Sequence, residues 1–94
     1  MTRVTFKFSD NEIYCECENH AGDHDICTIC STLCNVLVCE NMRYGINPII
    51  YEPAHVVILG DERQKEVFIA VLETFRVLSE TSDCVGVKVQ GNIR

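Results

Sequence analysis

Apolar side chains alternate with polar ones near both ends of this chain, and that two-residue period restricts its fold more than any other feature. Val4, Phe6 and Phe8 alternate with Thr5 and Lys7. Ile13, Cys15 and Cys17 then share one face, with Tyr14, Glu16 and Glu18 on the other. The polar run Ser9-Asp10-Asn11-Glu12 between them is a turn, so the opening predicts a hairpin with one dry and one wet face. Cys15 and Cys17 point inward on this pattern, as small core fillers. Val85, Val87 and Val89 alternate with Gly86, Lys88 and Gln90 and predict a last strand. Ile49-Ile50-Tyr51 and Ala54–Leu59 are β-rich, separated by Pro53 and followed by a Gly60-Asp61 turn.

Between these strands the period lengthens. Ile26, Ile29/Cys30, Leu33/Cys34 and Leu37 fall on one helical face, with Asp25 as the expected N-cap and stop signals from Asn41 to Gly45. Glu62 to Leu78 reads as a second amphipathic helix burying Val67, Phe68, Val71, Leu72, Phe75 and Leu78. The order is ββαββαβ. It predicts an α+β two-layer sandwich, a mostly antiparallel sheet with both helices on one face. The 94 residues fit a single domain spanning 1–94 with one modest core. A two-domain enzyme with a large cofactor cleft is excluded.

Charge narrows the partners. Fourteen acidic residues against eight basic ones give a net charge of −6, and the basic residues are scattered, which argues against nucleic acid. No stretch approaches the roughly 20 apolar residues that span a bilayer, so no membrane partner is expected. Met1-Thr2-Arg3 leads into the strand pattern rather than a secretory leader, so the expected location is the cytoplasm. Seven cysteines is an odd number, and in a reducing compartment they are core residues, metal ligands or reactive thiols.

The polar loop Asn19–Asp25 and the helix after it hold the unusual chemistry. With Asp25 as cap, Cys27 is the second helical residue, where unpaired N–H groups and the helix dipole stabilise a thiolate. His20 lies in the adjoining loop. A thiolate beside an imidazole is the arrangement of a cysteine nucleophile: the thiolate attacks a carbonyl and the imidazolium protonates the leaving amine, with helix-start N–H groups as oxyanion donors. Plainer readings are a buried core thiol for Cys27 and a solvated loop residue for His20. His24 reads as a surface residue, and Cys34, Cys39 and Cys84 receive no role. A competing reading takes His20, His24, Cys27 and Cys30 as four ligands of a zinc-binding or non-catalytic protein-interaction module, although the order His-x₃-His-x₂-Cys-x₂-Cys is unusual for zinc. Cys27 and Cys30 also have the spacing of a redox pair.

His20-Ala21-Gly22, then Asp25-Ile26-Cys27, with Ser31 and Leu33 following, resembles the ribosomal-processing cysteine protease family, Prp. That family's pattern is Gly-His-Ala-Gly, a loop, then Asp-Ile-Val-Cys-Ala-Ala-Val-Ser-x-Leu, and its element order is also ββαββαβ. The resemblance implies a cysteine endopeptidase, with Cys27 as nucleophile, His20 as base, and Asp25 and Ser31 as supporting residues. It implies no cofactor, a homodimer, and a protein substrate with a cleavable N-terminal extension, ribosomal or, in phage relatives, structural. The chain departs from the pattern in several places. Asn19 replaces the glycine before His20, a mild change because Asn tolerates left-handed backbone. The loop between His20 and Cys27 is shorter and poorer in glycine. One residue separates Asp25 from Cys27 instead of two, and Cys30 stands where the family has an apolar residue.

Overall fold

The structure is a computed structural model that describes residues 1–91. The opening alternation becomes β1 (Thr2–Phe8) and β2 (Ile13–Glu18), paired antiparallel with Phe6 opposite Cys15. The longer period becomes α1 (His24–Met42) and α2 (Lys65–Thr81). Between the helices lie β3 (Ile50–Glu52) and β4 (His55–Gly60), joined by the two-residue turn Pro53-Ala54. The last strand is β5 (Val85–Gly91).

The five strands form one sheet in the order β3-β4-β2-β1-β5. Three of its pairings are antiparallel; β1 and β5 run parallel, with Thr2 beside Val85 and Phe8 beside Gly91. Both helices cover the same face. Val4, Phe6, Phe8, Ile13, Cys15 and Ile58 of the sheet enclose one core with Cys30, Cys34, Leu37 and Val38 of α1 and Phe68, Val71, Leu72 and Phe75 of α2. The other face is wet and pairs polar neighbours, including the Arg3–Glu18 ion pair and the contact of His55 with Glu16. The α+β two-layer arrangement is therefore as the sequence pattern predicts.

Local details differ. The N-cap of α1 is Asp23, not Asp25: its carboxylate accepts from the Ile26 N–H at 3.1 Å. The helix thus begins two residues earlier, and Cys27 is its fourth residue instead of its second. Ile29 is exposed because the buried stripe runs through Cys30, Cys34 and Leu37. Cys17 faces inward but is only half-buried, since it lies at the end of β2 where the core opens. Glu62–Gln64 form a tight 3₁₀ turn before α2 proper, with Asp61 and Gln64 capping each other.

Candidate active site

The segment Asn19–Asp23 links β2 to α1, and two hydrogen bonds fix its first residue. The Asn19 N–H donates to the Ala54 carbonyl at 2.8 Å, and the Asn19 carbonyl accepts from the Thr2 hydroxyl at 3.1 Å. Asn19 adopts φ 72°, a left-handed conformation that asparagine tolerates. This backbone delivers His20 to the start of α1. Its Nδ1 lies 3.7 Å from the Cys27 sulfur, within the range of a hydrogen bond to sulfur. Ala21 is buried beneath the loop, and Gly22 turns the chain with φ 86° into the Asp23 cap.

His20 is exposed and Cys27 half-buried, so the pair is open to a ligand. Beside them lies a cleft of about 410 Å³ between α1 and the β3–β4 turn. Cys27, Ser31 and Asn35 line it at helical spacings of four, and Tyr51, Glu52 and Ala54 face them. The Tyr51 hydroxyl bonds the Asn35 carboxamide oxygen at 2.6 Å, joining the two walls. The cleft meets three further thiols, those of Cys17, Cys30 and Cys34.

These three thiols differ from Cys27 in their surroundings. Burial pushes the Cys30 thiol up to about 11, with the neighbouring Cys17 and Cys27 adding to the rise against an opposing bond from Thr2. A hydrogen bond with Cys34, then burial, pushes Cys17 up much further. Both stay protonated and poorly nucleophilic at neutral pH, since the thiolate is the reactive form. Among the cysteines lining the cleft, Cys27 is the one in contact with a base.

Cys27 does not sit among the free N–H groups of the helix start. The Cys27 N–H donates to the Asp23 carbonyl at 2.9 Å, and the Ile26 N–H is held by the Asp23 side chain. The donors left at this helix end are the N–H groups of His24 and Asp25. Asp25 is an exposed second helical residue, and its side chain is not part of the His20–Cys27 contact. Ser31 lines the cleft one turn beyond Cys27.

The zinc arrangement fails on geometry. Among the described residues, no three His, Cys, Asp or Glu side chains converge on a point that would hold a metal ion. His24 is exposed, and Cys30 is 3% exposed and committed to the core. Sequence reasoning also missed the contacts of Thr2, Asn35 and Tyr51 around the cleft, because each joins a distant element that no local pattern encodes.

The chain matches no known family model, and no curated protein matches it.

Proposed function

We propose that this chain is a cytoplasmic cysteine endopeptidase of the Prp type, using a Cys27/His20 dyad to remove an N-terminal extension from a ribosomal or phage structural protein. One observation carries the reading: the Cys27 sulfur and His20 Nδ1 lie 3.7 Å apart on the rim of a cleft. Apo dyads are often this loose and tighten when substrate arrives. The resemblance at His20-Ala21-Gly22 and Asp25-Ile26-Cys27 supplies the substrate class and the expectation of a homodimer.

The chemistry follows from the groups present. His20 Nδ1 takes the Cys27 proton, and the thiolate attacks the carbonyl carbon of the scissile peptide. The resulting oxyanion is held by N–H donors at the positive end of α1, those of His24 and Asp25. The imidazolium gives its proton to the amine, the C–N bond breaks and the new N-terminus departs. Water, deprotonated by His20, then attacks the thioester and releases the carboxylate and the Cys27 thiol. Each step uses only the chain, its substrate and water.

The test is to incubate the purified chain with a large-subunit ribosomal protein bearing its N-terminal extension and to map new N-termini by mass spectrometry. Cys27→Ser should lower cleavage by about 10³-fold or more, as loss of a nucleophile does, with unchanged thermal unfolding. Cleavage by the serine variant at the wild-type rate would end the proposal. Binding of the substrate without any cut by the wild type would favour a non-catalytic interaction module.

A further inference from the structure

The imidazole of His20 is exposed, and among the described residues its hydrogen-bond contact is the Cys27 sulfur itself. Among the described residues no carboxylate bonds the ring. Its aim must come from the backbone that carries it, and that backbone is pinned from two directions.

On one side, the Asn19 N–H is bonded to the carbonyl of Ala54. Ala54 itself sits at φ 64°, an unusual conformation for alanine, in the turn between β3 and β4. Such a conformation persists only where surrounding contacts impose it. On the other side, the Asn19 carbonyl receives the hydroxyl proton of Thr2. That carbonyl and the N–H of His20 belong to one rigid peptide plane. Pinning the oxygen fixes the plane and so sets the φ axis about which His20 swings.

Thr2 is an unexpected place for such a contact. It is 2% exposed, one of few buried polar residues here, and its side chain points to the cleft and also meets the Cys30 thiol. Its own backbone is held by the sheet and by a bond from its N–H to the Cys84 carbonyl at 2.8 Å. Valine has a similar shape but no hydroxyl, so Thr2→Val removes the donor. The hydroxyl proton goes to the Asn19 carbonyl, in the peptide next to His20, and the hydroxyl oxygen faces the protonated Cys30 thiol.

We propose that Thr2 is a positioning residue of the site: its buried hydroxyl locks the Asn19–His20 peptide plane and thereby aims the imidazole at the Cys27 sulfur. This deepens the dyad reading and rests on it. Thr2 acts through the Asn19–His20 peptide.

The experiment compares wild type, Thr2→Val, Thr2→Ser and His20→Ala. The iodoacetamide labelling rate of Cys27 is mapped by mass spectrometry from about pH 5 to pH 9, a range bracketing the ordinary thiol and imidazole values. Cleavage of the ribosomal substrate is followed in parallel. Removing the hydroxyl in Thr2→Val should move the Cys27 labelling profile toward that of His20→Ala and lower kcat on the order of tenfold to a hundredfold, the effect of a misplaced catalytic group, with little change in KM. Thr2→Ser, which restores the hydroxyl, should return both readouts to wild type. A merely structural role would change thermal unfolding without moving the labelling profile.

Wild-type behaviour of Thr2→Val, while His20→Ala differs, overturns the proposal and leaves the dyad standing. Identical profiles for wild type and His20→Ala remove the dyad, and this proposal with it. Should Thr2→Val fail to fold, Thr2→Ala serves as the second variant, since it empties the site without inserting a methyl against Cys30, and the same two comparisons decide.

Discussion

Asp23 and Asp25 stand two positions apart at the start of α1, and either is a good N-cap by residue type. The structure chooses Asp23, whose backbone is extended (φ −121°, ψ 126°) and whose carboxylate reaches the Ile26 N–H. Nothing in the sequence separates the two, because the deciding factor is where Gly22 turns the chain. The choice moves Cys27 from the second to the fourth helical position and takes its N–H out of play. Asp23→Ala should cost about 1 kcal/mol, the usual value of a lost cap, whereas Asp25→Ala should cost only a few tenths through the helix dipole. Urea unfolding of both variants measures this; equal costs would put the cap back in doubt. The same residue-level logic separates the thiols. Cys30 and Cys17 lie one turn or one strand from Cys27, yet burial and mutual contact keep them as thiols.

At the scale of elements, periodicity together with β-rich composition and turn residues was enough to put the strands and helices in order. Two-residue alternation marked β1, β2 and β5, and the 3.6-residue stripe marked the helices. What it left out is how tightly the layers approach. Gly60 ends β4, and a Cβ there would lie 2.8 Å from the ring of Phe68 on α2. Phe68 is fully buried and has no room to move aside. Gly60→Ala should therefore destabilise the fold by roughly 1–3 kcal/mol, the cost of overpacking a core, read from the shift in denaturant midpoint. A neutral result would mean that α2 can ride further from the sheet. Asn41 ties the far end of α1 to the same strand through a 2.8 Å bond to the Leu59 carbonyl. The Asn41 bond helps seat α1 against the sheet, and the first turns of α1 face the β3–β4 turn across the cleft.

Across the whole molecule, the contacts that build the site join residues far apart in the chain. Thr2 meets Asn19, Asn19 meets Ala54, and Tyr51 meets Asn35. The His20–Cys27 contact was legible because the two residues lie seven positions apart in one loop and helix. Its supports were not, since threonine, alanine and tyrosine carry no signal of a partner in another element. The wet face of the sheet shows the same long-range character. His55 Nε2 lies 2.8 Å from one oxygen of Glu16, and the Tyr14 hydroxyl lies 2.8 Å from the other. These bonds, His55 first, hold the Glu16 carboxyl below its usual range against an opposing effect of burial. A carboxyl lowered in the folded state stabilises the fold above its unfolded value of about 4.3, and that contribution fades as pH falls through the folded value. Glu16→Gln should then be less stable than wild type at neutral pH, with the gap narrowing as pH drops below about 4. Urea midpoints at the two pH values give the answer; a constant gap would show that Glu16 acts through packing alone.

The parallel pairing of β1 with β5 has a consequence in time. Thr2 is bonded through its N–H to Cys84, and its strand lies alongside β5 from Val85 to Gly91. Joining them closes a loop of roughly eighty residues, and such long-range closure is among the slower events in folding. A ribosome making this chain delivers His20 and Cys27 well before it delivers β5. The newborn chain therefore carries the Cys27 thiol through synthesis with the sheet still one strand short, and Thr2 takes its place only when the last strand docks beside the first.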